Sequence, residues 1–320
     1  MYRTRRYRYA NERVVLFITL FIALSVIVLT STVTFCLSGV FILAMIVLSA
    51  GLIRSHHQYL IRNGIPVNTS QMPDLTSLVG ICQQKLQPGD IDVYLTQKNQ
   101  MNAYAFGLGK PKVLVLYTPL LKFMNTSELT FIIGHEMGHV ALGHTWLNTL
   151  VGGMAGIPAP FGAAIILYAV FRWWNRMCEY SADRAGLLAC GDLDQAVTAL
   201  VRLVAPDIRS QEDFNRVMML LNTKDGLASN RVAEVFQSHP MLIRRINKLR
   251  DYASTREYQT LQVKVNQNVR GALPQLVDKF DYDQSVATGD PPGKEPELPP
   301  EERWPWLKPL EPPTVQSQKK

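Results

Sequence analysis

FIIGHEMGHVALGH, residues 131–144, holds three of the chain's six histidines on a segment that is otherwise apolar. His135 and His139 are four apart, so on a helix both imidazoles leave one face and can grip a single ion. Glu136 is turned from them by about 100° of helix rotation, which sets a carboxylate beside such an ion rather than on it. H-E-x-x-H on a helix is the pattern in which that carboxylate serves as a base. Gly134, Gly138 and Gly143 weaken the helix intrinsically, yet they let another backbone or a substrate approach closely. Upstream, Asn125-Thr126-Ser127-Glu128 is a capping sequence that starts this helix.

Two histidines leave such a site one ligand short. A third histidine in the extended pattern H-E-x-x-H-x-x-G-x-x-H is excluded, because Leu142 and Thr145 stand where Gly and His are required. His144 is out of register. The segment CEYSADRAGLLA, 178–189, offers Glu179 with Asp183 one turn later on the same face. Taken alone this reads better as a solvated acidic face beside Arg184. Beside H-E-x-x-H it completes a His₂Glu set with an open fourth position. Asp183 is then placed to accept the second ring N–H of a ligand histidine.

No charged residue occurs from Val14 to Ile53. That run is far longer than the ~7–15 apolar residues of a signal peptide, and one membrane crossing takes about 20. The arithmetic predicts two spans, VVLFITLFIALSVIVLT and TFCLSGVFILAMIVLSAGLI, turning near Thr30 to Thr34. Arg3, Arg5, Arg6, Arg8 and Arg13 crowd one end, while Arg54 and Arg62 follow the other. Basic flanks on both sides predict a hairpin with both ends in the cytosol. They also direct the net charge of +7 toward a membrane surface rather than nucleic acid. Cys36, Cys82, Cys178 and Cys190 are scattered, without the spacing of a disulfide framework or a cysteine zinc site.

Beyond the apolar run the chain reads as globular. Apolar spacing predicts a helix over 70–87, broken by Pro88-Gly89-Asp90, and IDVYLT, NAYAFG and KVLVLYT read as three short strands. The helical pattern over 192–222 reads as core. From Gln284 the composition shifts, and Pro291 to Pro313 is dense in proline, which predicts a disordered or extended tail. The expected fold is α+β and mainly helical, with a small β-sheet. Its parts are a basic N-terminus (1–13), two transmembrane helices (14–53), a gluzincin-like zinc metalloprotease domain (54–283) and the tail (284–320).

The set GHEMGHVALGH, EYSADRAG and SHPMLIRRI (238–246), preceded by NAYAFG (102–107), resembles the HtpX-type membrane zinc metalloproteases. These are H-E-x-x-H…E-x-x-x-D gluzincins related to the CAAX prenyl endopeptidases. The resemblance runs from about Asn102 to Leu249. It implies one zinc ion per chain held by His135, His139 and Glu179, with Glu136 as base and Asp183 behind the ligands. It further implies that Asn102, Ala103, Tyr104 and Ala105 lie on an edge strand that pairs with substrate backbone. His239, before Pro240, takes a transition-state or gating role. One departure stands out: family members usually carry a second membrane hairpin between the two ligand helices. Here WLNTLVGGMAGIPAPFGAAIILYAVFRWW, 146–174, is too short for two crossings of about 20 residues each. A single crossing would separate Glu179 from His135. The expectation is a short apolar hairpin in or against the membrane, with Trp173 and Trp174 at the interface.

These readings converge on an integral, multi-pass membrane protein with a cytosolic zinc endopeptidase domain that acts on misfolded or membrane proteins. The expected partners are polypeptide substrates and the lipid bilayer, with no nucleic acid. Two alternatives are a catalytically idle membrane scaffold and a selective processing protease of the prenyl-peptidase kind. An intact H-E-x-x-H with Glu179 weighs against the first, and the small number of spans weighs against the second.

Overall fold

The computed structural model describes residues 7–33, 37–154, 162–204 and 240–279. His239, the later part of the 192–222 pattern and the tail from 284 lie outside the described residues. The chain opens with helix α1 (Glu12–Val33) and helix α2 (Leu37–Asn63). Strand β1 (Ile65–Pro66), helix α3 (Pro73–Leu86), strands β2 (Ile91–Thr96), β3 (Ala103–Phe106) and β4 (Lys112–Tyr117) and the short helix α4 (Thr118–Phe123) follow. Helices α5 (Thr126–Leu142), α6 (His144–Met154), α7 (Gly162–Cys190) and α8 (Leu193–Val204) carry the centre of the molecule. Helices α9 (Pro240–Ala253) and α10 (Arg256–Lys279) end the described part. The architecture is mainly helical with a small mixed sheet, as expected.

The three strands read from the sequence form that sheet with β1, in the order β1-β2-β4-β3. β4, one of its two inner strands, is parallel to β2 and antiparallel to β3, and Val113 to Leu116 are all buried. A continuous apolar run is what a strand covered on both faces requires. β3 pairs on one side only, as Ala103↔Leu116 through Phe106↔Val113, so it forms an edge of the sheet. One face packs on α5, and Leu60 of α2 meets Phe106, Val113 and Val115 on a smaller cluster of its own.

α1 is about 33 Å long at ~1.5 Å per residue, enough for a ~30 Å hydrocarbon core. Among the described residues it is the one helix that is both long and apolar enough to cross a membrane. It does not serve as a core helix, since Phe17 and Phe21 are 70% and 71% exposed. The second expected span falls on α2, which runs past Ile53 through Arg54, His56, His57 and Arg62. Among the described residues one apolar helix of spanning length is found, and a hairpin of two crossings is not shown.

Of the segment 146–174, the first part is α6 and the last part is the beginning of α7, which continues unbroken to Glu179 and beyond; residues 155–161 between them lie outside the described residues. Trp174 is buried rather than interfacial, packed with Val15, Leu147 and Cys178 where α1, α6 and α7 meet. Trp173, its neighbour, is turned outward.

Candidate metal centre

The site is made by two helices, and glycine lets them touch. A Cβ on Gly134 would lie 2.4 Å from the Ala189 Cβ, and one on Gly138 would lie 2.5 Å from the Ala185 Cβ. Gly186 of α7 returns the favour against the Phe131 ring and carbonyl, 2.8 Å from where its Cβ would be. The close backbone approach that the sequence left open for these glycines is seen at Gly134 and Gly138. α5 begins where the sequence placed it. The Glu128 N–H donates to Asn125 Oδ1 at 2.9 Å, and the Asn125 N–H donates to Glu128 Oε2 at 3.0 Å, a complete capping box. It ends at Gly143, whose φ of 79° is a left-handed conformation that glycine adopts without strain.

The helix pair brings the three expected donors together. His135 Nε2 and His139 Nε2 are 3.3 Å apart. Glu179 reaches them with Oε2 3.6 Å from His135 Nε2 and Oε1 3.5 Å from His139 Nε2. Two ligand atoms each about 2.1 Å from a tetrahedral zinc ion stand about 3.4 Å from one another. The observed spacings match that edge, so the residues fit a single tetrahedral ion. From Glu128 to Val140 every residue of α5 is buried except Glu136, which is half-exposed next to the donors.

Each of the two histidines has something behind it. Asp183 Oδ1 lies 3.0 Å from His135 Nδ1, at hydrogen-bond separation with the ring N–H turned off the line to the oxygen. The role expected for Asp183 therefore falls on His135. His139 Nδ1 meets His144 Nδ1 at 3.0 Å, and His144 Nε2 meets Glu12 Oε1 at 2.9 Å.

Arg245, from α9, joins the acids. Its Nε donates to Asp183 Oδ2 at 2.8 Å, one Nη to Asp183 Oδ1 at 2.6 Å, and the other Nη lies 3.1 Å from Glu179 Oε2. Burial works against charge on both carboxyls, yet the Arg245 guanidinium overrides it and holds Asp183 and Glu179 below their usual values. Burial likewise pulls His139 down, but its contact with Glu179 and the charge of Glu136 leave it raised. His144 is driven well below the usual histidine range by burial, then by His139 and Arg8. It stands neutral.

Sequence reasoning missed Arg245, His144 and Glu12. Arg245 sits inside SHPMLIRRI, but nothing in that stretch says which of two adjacent arginines turns inward. Glu12 carried a usable signal, as the one acid among five arginines at the border of an apolar run. An acid so placed is costly unless paired.

A helix-borne His₂Glu set with a half-buried glutamate beside it, next to a small mixed sheet in which, among the described residues, β3 pairs on one side, defines a metallopeptidase-like site. The model of Peptidase family M48 matches residues 75–253, more than half of the chain, and this chain belongs to that family. It is 28% identical over 222 residues to the plastoglobule-localized metallopeptidase 48, chloroplastic, of Arabidopsis thaliana, covering 64% of each chain. It is 24% identical over 221 residues to a protease HtpX homolog of Pelotomaculum thermopropionicum, covering 58% of this chain and 77% of that one. Protease HtpX of Acinetobacter baylyi is 28% identical over 187 residues, 47% of this chain and 62% of its own. The chain thus spans just under two thirds of the plant and Acinetobacter proteins. No solved structure matches it.

Proposed function

We propose that this chain is a membrane-anchored zinc endopeptidase that hydrolyses peptide bonds in misfolded or membrane proteins. The observation that carries the reading is the spacing of the three donors, 3.3, 3.5 and 3.6 Å, in a His₂Glu set. His135, His139 and Glu179 hold one zinc ion per chain. When bound, the ion supplies Lewis acidity, which acidifies water and polarises a carbonyl. Glu136 takes the proton of the attacking water and delivers it to the leaving amine. Its half-exposed place on an otherwise buried helix gives it access to both.

The substrate lies along β3, with its backbone pairing to the free edge at Asn102 to Ala105. Support comes from the one-sided pairing of β3 and its packing on α5. An apolar cavity of about 340 Å³, lined by Ile53, His56, Tyr104 and Phe106 among others, lies against the same strand. His239, the residue before α9, is assigned to the oxyanion, because α9 already reaches the site through Arg245. α1 anchors the chain and α2 returns through the bilayer, with the basic flanks and the catalytic domain on the cytosolic side.

The test is cleavage of casein by the detergent-purified chain, beside Glu136→Gln, each with zinc and with a chelator. Cleavage by wild type alone, lost with chelator, is the expected result, with zinc still bound by Glu136→Gln. Normal turnover by Glu136→Gln would remove the base assignment. A wild-type chain that binds no zinc would remove the whole reading.

A further inference from the structure

Behind the donor cluster lies a second buried one, made of Glu12, His144 and Cys178, whose donor atoms also fall within 4.8 Å of one another. It is not built as a second metal site. Both oxygens of the Glu12 carboxylate are already occupied: Oε1 by Arg8 and His144, and Oε2 by the Ser181 hydroxyl. The surrounding contacts fix this arrangement in place. Arg8 also donates to the Leu142 carbonyl at 2.6 Å, and the Tyr9 N–H donates to Ser181 Oγ at 2.8 Å. Glu12 itself is fully buried, although it is the first residue of an apolar helix that exposes Phe17 and Phe21.

The cluster instead passes a constraint along a line of ring nitrogens. A carboxylate only accepts hydrogen bonds. His144 therefore carries its proton on Nε2, facing Glu12 at 2.9 Å, and keeps a lone pair on Nδ1. That lone pair faces His139 Nδ1 at 3.0 Å, so His139 carries its proton on Nδ1. The result is a free lone pair on His139 Nε2, the atom that faces His135 and Glu179. The turn between the helices makes this possible, because Gly143 in its left-handed conformation sends the chain round to set His144 beneath His139.

We propose that Glu12, acting through His144, is a positioning residue that fixes His139 in the tautomer and ring orientation a metal ligand needs. The first turn of the anchoring helix is then a working part of the metal site. This inference rests on the metallopeptidase reading above. Outer partners of metal-bound histidines typically change metal affinity by about 10–100-fold.

The experiment uses the full-length, detergent-purified chain and reads zinc affinity by competition with a chromophoric chelator, together with the visible spectrum of the cobalt(II)-loaded protein. Wild type is compared with Glu12→Gln, His144→Ala and His144→Asn. We expect His144→Ala and Glu12→Gln to weaken zinc by about 10–100-fold and to alter the cobalt bands. His144→Asn offers an amide oxygen near the place of Nδ1 and should restore most of the affinity. Should His144→Ala fail to fold, Glu12→Gln keeps the volume and carries the test. Wild type that binds zinc, with affinity and cobalt spectrum unchanged in Glu12→Gln and His144→Ala, would overturn this inference alone. Wild type that binds no zinc would overturn it together with the reading it rests on.

Discussion

His135 and His139 present the same nitrogen to the same place, but they are supported by two differently built regions. His135 is backed directly by Asp183, which stands one turn after Glu179 on α7 and is gripped by the fork of Arg245. His139 is backed at one remove, by His144 and then by Glu12, which is paired by Arg8, four residues ahead of the start of α1. Both lines end in a carboxylate held by an arginine. They differ in where the chain finds the acid. The first is four residues from a metal donor, while the second is more than a hundred residues away. Helix geometry fixes Asp183 relative to Glu179, so the α5–α7 contact that brings in one brings in both; Glu12 needs α1 docked as well.

That difference makes their energetics unequal. Arg245 is the larger lever, since removing it leaves Asp183 and Glu179 facing each other without a cation. Arg245→Ala should cost about 3–5 kcal/mol of stability, the usual loss on breaking a buried pair, read from denaturant unfolding. Arg8→Ala should cost less, because Glu12 keeps its bonds from His144 and Ser181. Equal losses would break the comparison. On the metal side the direct support should matter more than the relayed one. Asp183→Ala is expected near the upper end of the ~10–100-fold range in zinc affinity. A smaller loss than that of Glu12→Gln, measured by the same chelator competition, would reverse the ranking.

The contrast also explains what could be read in the sequence. The direct support was legible because Glu179 and Asp183 share a helix face by spacing alone, as His135 and His139 do. The three strands, the start of α5 and the break after α3 were legible for the same reason, since each is decided within a few residues. Glu12 carried a signal of its own pairing but none of its partner, because no periodicity links the border of an apolar run to a helix a hundred residues later. Trp174 failed in the opposite way: its place beside Trp173 suggested an interfacial pair, but one turns inward to meet Val15. The docking of α1 on α7 decides both cases, and docking leaves no local mark.

The seam between α5 and α7 carries the direct support and touches the relayed one through the Ser181 hydroxyl on Glu12, so a change there should weaken both. A methyl group on Gly138 would meet the Ala185 Cβ at 2.5 Å and the Ala182 Cα at 3.3 Å. Gly138→Ala should therefore cost about 1–3 kcal/mol, the range for overpacking. Zinc affinity should fall with it, because Glu179 rides on the helix that must move away. Loss of stability with full affinity would mean that the two supports hold the donors whatever the spacing of the helices.

The smallest effect expected is the most specific. Asn125 closes the capping box of α5, and its Nδ2 donates to Gln195 Oε1 of α8 at 2.7 Å. It lies on the helix that bears both ligand histidines but contacts neither support. Asn125→Ala should lower stability by about 1 kcal/mol, as cap removal does. Zinc affinity should stay at the wild-type value, since His135 and His139 sit more than two turns away and are held from behind. If affinity instead fell with the cap, the donors would be placed by the straightness of α5 itself. The carboxylates behind each histidine would then be passengers of the helix pair, and the comparison between a direct and a relayed support would lose its meaning.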